Sequence, residues 1–438
     1  MKYPKPNLHF LVLGVSALIF LAVGGQRAFR FSHDLVPVYT GAGCLLRGCN
    51  PYDTSQLEEQ FFQRGGRAVD LPSWKIDVPV YPPSTFLALS PLVLLRYPSA
   101  RLAWFLVNGG LFILSAVLIL SASPRSHRWL ATILVSLILG TSGILLVVGQ
   151  PATLAISLVV ISSYLLLHVR FLPLCAFLFM FSLAVKPQIG GLIVLYFLGQ
   201  RIYRRYAAFA LVGALALLLS AGLTLRLHPN SANWTSTLRA NLSATLSPGG
   251  SADPRPANQE AIGDMNLQSL TSIFFSNAEK FNHVAYGLFL VLLAVLIMVL
   301  PWPQASWETH ALALAALSIL SLMPVYHRFY DTRLLLLTVP AVILTFEKRR
   351  LLGAVIAVLT ILAVISVQYR LQVFLIHHAE WEKVVRHKLL FILLLRQQNL
   401  ELLILFGLYL VAIFGIRFSR VRATDPGSVY QNAIPLHR

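Results

Sequence analysis

The stretch MKYPKPNLHFLVLGVSALIFLAVGG, residues 1–25, decides what kind of chain this is. A short basic head followed by an apolar run suits a cleaved signal peptide and a retained membrane helix equally well. Arg27 and Arg30 follow at once, no convincing cleavage signal stands out, and similar apolar runs recur to the far end of the chain. The segment therefore reads as the first of many spans.

Of 438 residues, 57% are hydrophobic and only 12% are charged, and the mean hydropathy is +0.71. Such a chain is too apolar and too sparsely charged for a soluble globular domain. Runs long enough to cross or nearly cross a bilayer fall at 9–26, 101–121, 129–148, 152–168, 171–185, 188–200, 205–227, 281–300, 309–323, 331–346, 351–369 and 399–418. The expected fold is an all-α integral membrane protein, a multi-pass bundle with about 12 transmembrane helices. The segment 84–96 is apolar but short and carries Pro91, and it reads as lying along the membrane surface.

The net charge of +18 comes from 35 Lys and Arg against 17 Asp and Glu. With residue 1 cytoplasmic and 84–96 not crossing, the cytoplasmic side receives Lys2, Lys5, Arg125, Arg128, Arg170, Arg201, Arg204, Arg205, Lys348, Arg349, Arg350, Arg417, Arg420 and Arg422. That is the bias by which short basic loops orient membrane helices, and no interleaving of basic and aromatic residues points to nucleic acid. The domain expected is 1–422, with 423–438 as a cytoplasmic tail.

The opposite face then collects a large first loop, 27–100, the turns at 149–152 and 186–188, a second large loop, 228–280, and the segments 324–333 and 370–398. A charge at membrane depth costs several kcal/mol without water or a partner. Polar residues that merely end helices at the interface account for any one of these places. Their convergence on one face points instead to a cavity.

Asp34 is the first acid of the chain, just beyond the first span. A carboxylate at the mouth of a bundle can take the proton of a hydroxyl as that hydroxyl attacks a sugar carbon; an acid facing solvent would look the same. Residues 35–47, with Tyr39 and Gly41, read as a short helix along the membrane surface that could floor an amphiphilic substrate. Tyr81 in VYPPSTF begins a proline-held extended rim. Lys186, His327, Arg328 and Arg333 are the cations on this face, suited to an anionic head whose leaving phosphate gains charge; interface anchoring would also explain the arginines. Asp331, between Arg328 and Arg333, is explained by local ion pairing and is a second candidate base. Asp70, Asp77, Asp253 and Asp264 are further outer-loop acids that sequence does not rank.

The three cysteines are Cys44, Cys49 and Cys175, and a Cys44–Cys49 bridge and two free thiols fit the spacing equally. There is no GxxxxGK[ST], no GxGxxG between strand and helix, no HExxH and no Cys-x-x-Cys, so nucleotide binding and zinc chemistry have no motif behind them.

Taken in order, Asp34, Tyr39, Gly48 to Tyr52, Tyr81 to Pro83, Gly149 with Gln150, Lys186 to Gln188, and Val325 to Tyr330 resemble the motifs of glycosyltransferase family 87, polyprenyl-phosphate-sugar-dependent enzymes of the multi-pass GT-C group. The resemblance covers about residues 10–350. It implies a GT-C type bundle and an inverting transfer with Asp34 as base. The implied partners are a polyprenyl phosphate donor, such as polyprenyl phosphate mannose, a glycolipid or glycan acceptor, and membrane lipids. His327 would touch the donor phosphate, and Gln150, Gln188 and Tyr330 join the candidate substrate-binding residues. No cofactor or metal is implied. The basic tail and the resemblance together favour a prokaryotic inner membrane, with the site expected on the extracytoplasmic side and the chain expected to act as a monomer. The chain departs from the family pattern at Leu35, at Pro151 with Ala152, and in MPVYHRFYD, so mannose is a family expectation rather than a reading of these residues.

A transporter or flippase of an amphiphilic or anionic solute would also have many spans and polar residues among them. A fixed loop of this size after the first helix suits an enzyme better, because alternating access gains little from a permanent lid. A non-catalytic scaffold would need neither the acid nor the cations.

Overall fold

The computed structural model describes residues 6–71, 76–259, 263–300, 306–378 and 380–423. Beyond Ala423, the stretch read as a tail lies outside the described residues. Among those residues the elements are helical, and the β feature is one antiparallel bridge, Asp264 with Arg328.

Helix α1 (Pro6–Phe31) leads through a short turn into α2 (Leu35–Arg47) and α3 (Thr54–Gln63), followed by α4 (Pro83–Ala88) and the long α5 (Tyr97–Ala122). Then come α6 (Arg128–Gly140), α7 (Gly143–Val148), α8 (Pro151–Leu167), α9 (Leu172–Val185), α10 (Pro187–Gly199), α11 (Arg204–Leu227) and α12 (Trp234–Leu246). The remainder is α13 (Leu267–Thr271), α14 (Ala278–Val299), α15 (Trp307–Ser321), α16 (Val339–Lys348), α17 (Arg350–Ile365), α18 (Val367–His377), α19 (Trp381–Val385), α20 (Lys388–Leu395) and α21 (Gln397–Ala423). Each apolar run read from the sequence falls on helical chain, though 129–148, 331–346 and 351–369 are each divided between two helices. Seven helical stretches are long and apolar enough to cross a bilayer, and α17 with α18, bent by 40°, makes an eighth if counted as one span. The chain is a multi-pass membrane protein.

Helices α8 and α15 sit at the centre, buried on nearly every side. Helices α11 and α14 expose apolar side chains along most of their length, as lipid-facing helices do. The basic turns at 125–128 and 347–350 meet at one end, where Ser126 bonds Glu347 and Lys348 pairs with Glu308 at 2.6 Å.

The segment 84–96, expected along the surface, is divided: Pro91, Leu94, Leu95 and Arg96 are exposed, but its first half is not. Five of the six residues of α4 are buried, and the reason is the break between α9 and α10. Pro187 stops α9 from continuing, which strands its last carbonyls. Ser84 Oγ donates to Ala184 O at 2.8 Å and Thr85 Oγ1 to Val185 O at 2.9 Å, so α4 is drawn inward to satisfy that helix end.

Helix α2 is likewise not the half-open surface helix expected, being buried from Leu35 through Leu45. Gly41 is pressed against Phe86, and a Cβ there would run into the ring. The helix ends at Gly48, whose φ of 79° is natural only to glycine, and Cys44 is bridged to Cys49 across this turn.

The turn in turn holds α12, a helix with no buried residue of its own. Asn50 Nδ2 donates to Thr237 Oγ1 at 3.1 Å, Asn241 Nδ2 donates to Tyr52 O at 2.9 Å and Pro79 O at 3.1 Å, and Tyr52 stacks on Trp234. Replacing both cysteines with serine is expected to remove about 2 kcal/mol, the loop-closure value of so short a ring. Thermal unfolding of the detergent-solubilised protein with and without reductant checks it: the wild-type midpoint should fall on reduction, and that of the double variant should not move.

Candidate active site

A cavity of about 410 Å³ opens where the first turn, the 76–81 segment, α12 and the chain before the late 3₁₀ helix (Phe329–Thr338) come together. Its walls include His33, Asp34, Asp77, Tyr81, Gln150, Tyr326, Arg328 and Tyr330. The centre of this arrangement is Asp34.

Asp34 is held from two directions by the turn at 148–150. Its backbone N–H donates to Val148 O at 2.9 Å. Gln150 Nε2 donates to Asp34 Oδ2 at 2.9 Å and to the Tyr330 hydroxyl at 2.8 Å, so one amide ties the first turn to the late segment. The turn can do this because Gly149 has a φ of 71° and lies so close to α2 that a Cβ would meet that of Leu35 at 3.0 Å. Trp104 Nε1 fixes it further by donating to Gly149 O at 2.9 Å.

The Asp34 side chain is 20% exposed, at the bottom of the cavity. Burial raises its carboxyl above the ordinary aspartate range; His33 and Arg328 pull the other way, Asp77 adds to the rise and Lys186 opposes it. A carboxylate so placed is a better proton acceptor than a free one.

The four expected cations divide. Arg328 lines the cavity beside Tyr326, whose hydroxyl accepts from its Nε. Lys186 and His327 do not line it: Lys186 Nζ and His327 Nδ1 both bond Asp331 Oδ2, at 2.9 and 2.8 Å, and His327 and Asp331 are fully buried. Asp331 thus pairs with a lysine on the α9–α10 break, not with the neighbouring arginines as expected. Arg333 is structural in this geometry, donating to Thr141 O and Val364 O, each at 2.8 Å, and to the Ser142 hydroxyl. Those carbonyls lie at the C-terminal ends of α6 and α17, where a cation is favoured.

Of the remaining expected residues, Tyr81, Gln150 and Tyr330 line the cavity. Tyr39 does not: its hydroxyl donates to Leu95 O at 2.7 Å and accepts from Arg64, pinning the segment after α4. Gln188, half-buried on the first turn of α10, is also outside the lining.

The outer-loop acids separate as sharply. Asp70 is paired with Arg101 and Arg67, and Asp253 with Arg255. Asp264 is fully buried beyond the cavity wall; burial raises its carboxyl to about 7, with Arg328 and Arg396 opposing the rise. Asp77 alone of the four reaches the cavity. Its carboxylate, that of Asp34 and the His33 ring offer ligand atoms within 4.8 Å of one another, close enough for a shared cation. His33 went unremarked in the sequence, although it directly adjoins Asp34, and Tyr326 was read only as part of the Val325 to Tyr330 motif.

A basic carboxylate, an arginine and tyrosine hydroxyls around one chamber of this size can deprotonate a hydroxyl and receive an anion. The model of glycosyltransferase family 87 matches residues 80–328, more than half of the 438 residues. No curated protein and no solved structure matches the chain.

Proposed function

We propose, from the premise that this chain belongs to glycosyltransferase family 87, that it moves a sugar, with mannose the family expectation, from a polyprenyl phosphate to a hydroxyl of a glycolipid or glycan. The observation that carries this reading is Asp34, poised by Gln150 on a cavity that also holds Arg328.

Asp34 Oδ takes the proton of the acceptor hydroxyl while the hydroxyl oxygen attacks the anomeric carbon from the face opposite the phosphate, inverting it. The bond from that carbon to the phosphate oxygen breaks, and the electron pair leaves with the phosphate. Arg328 meets the growing charge, with a planar guanidinium suited to phosphate oxygens. Lys186 and His327, neutralised against Asp331, back the wall behind it and keep the late segment in register. The lipid tail stays among the apolar helices, so its binding energy positions a small reacting head.

The same reading makes residues 1–422 one catalytic unit of GT-C type with about 12 passages, some through helices shorter than a usual span. It sets the cavity on the extracytoplasmic side of a prokaryotic inner membrane and has the enzyme act as a monomer. Two features support that side: the Cys44–Cys49 bridge belongs to an oxidising compartment, and the basic turns gather away from the cavity-lining residues.

The purified chain in proteoliposomes, given polyprenyl phosphate carrying labelled mannose and a mannolipid acceptor, is expected to label the acceptor. Label that changes leaflet without acceptor product would instead make the protein a transporter.

A further inference from the structure

Asp77 stands on an irregular segment, 76–81, yet the segment is firmly held. Ile76 and Pro79 are buried, Pro79 O accepts from Asn241, and Tyr81 O accepts from the Tyr52 hydroxyl at 2.8 Å. The Asp77 side chain is exposed to the cavity and makes no hydrogen bond or ion pair with any described residue. Every other acid of the loop 27–100 that could have competed for this role is committed elsewhere or lies outside the lining: Asp53 caps α3, Asp70 is ion-paired, and Glu58 and Glu59 lie on α3. A fixed wall therefore presents a free carboxylate to the same space as Asp34, within 4.8 Å of it.

An ionised carboxylate only accepts hydrogen bonds, with about four lone-pair sites. Two of them side by side repel an anion and favour a ligand that offers several donors at short spacing, as the neighbouring hydroxyls of a sugar do. Ser251, whose hydroxyl both donates and accepts, lines the same cavity, as does Thr245, whose hydroxyl donates to Leu242 O at 2.9 Å and is left to accept. Arg328, from a different segment, is the place for negative charge.

We infer that Asp77 is an acceptor-binding residue: its carboxylate receives a hydroxyl adjacent to the one that Asp34 deprotonates, and it selects acceptors whose reacting sugar carries no negative charge. This rests on the transferase reading and adds the chemistry of the acceptor to it. Asp77 forms and breaks no covalent bond; the proton still goes to Asp34 and the electron pair to the phosphate.

The test uses full-length Asp77→Ala and Asp77→Asn in proteoliposomes with a neutral mannolipid acceptor and its uronic-acid analogue. For Asp77→Ala the acceptor KM should rise about tenfold, equivalent to about 1.4 kcal/mol, while the donor KM stays within about twofold. For Asp77→Asn the preference for the neutral acceptor over the uronic acid should shrink about tenfold, which a structural role would not produce. Donor and acceptor KM moving together, or neither moving, overturns the inference. So does wild-type activity that a chelator abolishes and a divalent cation restores, which would give His33, Asp34 and Asp77 to a metal ion. A wild-type protein that transfers no sugar at all defeats the transferase reading itself, a result distinct from each of these.

Discussion

Asp34→Asn is expected to lower sugar transfer by about 10²–10⁴-fold, the usual contribution of a positioned general base, while the protein unfolds at the wild-type temperature. The amide is isosteric, and its oxygen can still accept from Gln150. The Asp34 side chain caps no helix N–H at the start of α2, so little structure depends on its charge. What the variant loses is the capacity to take a proton. Its pH profile should differ as well. A base works only when deprotonated, so wild-type activity should fall as the pH drops through the Asp34 pKa. Burial, with Asp77 adding to it, places that fall above the 3.8 of an ordinary aspartate, and the residual activity of Asp34→Asn should lack that acid limb. Transfer assays across pH with both proteins, alongside thermal unfolding, decide it. Near-normal transfer by the variant would remove Asp34 from the role of base.

What could be read from the chain beforehand follows from how far apart the interacting residues lie. Apolar runs were legible because a bilayer imposes length and composition locally, and Asp34 was legible because an acid directly after such a run is costly to place there. Gln150 was visible as part of a Gly-Gln turn. Its bridging of Asp34 and Tyr330 was not, since those bonds join residues 116 and 180 positions away.

Asp331 shows the opposite failure. Its neighbours Arg328 and Arg333 suggested local pairing, yet the 3₁₀ turn carries Arg333 toward the carbonyls of α6 and α17 and leaves Asp331 facing Lys186, 145 residues distant. Helix α2 was misread for a related reason. Its apolar stripe and small residues suit a surface helix, but the small residues are where α4 and its Phe86 pack, and α4 is held there in part by the α9 carbonyls that Pro187 leaves unbonded. Asp77 was unrankable because nothing in its own irregular segment distinguishes it from Asp70. Only the partners of Asp70, Arg67 and Arg101, do so.

Removing the carboxylate of Asp331 is expected to be the most destabilising single change at this site. Asp331→Ala leaves Lys186 and a fully buried His327 facing one another with no negative charge between them, and losing one partner of a buried pair typically costs about 3–5 kcal/mol. Lys186 keeps 12% of its side chain exposed, so water relieves part of its share and the lower end of that range applies. A second change separates charge from packing. If the loss comes from the stranded ammonium, Lys186→Met in the Asp331→Ala background should recover part of the stability, giving a coupling of about 1–3 kcal/mol in the double-mutant cycle. If the loss comes from the cavity left by the side chain, the two changes should simply add. Thermal unfolding of the four detergent-solubilised proteins measures the cycle. Additivity within about 0.5 kcal/mol would mean that the lysine on the α9–α10 break and the acid of the late segment do not hold the back wall of the site together by charge.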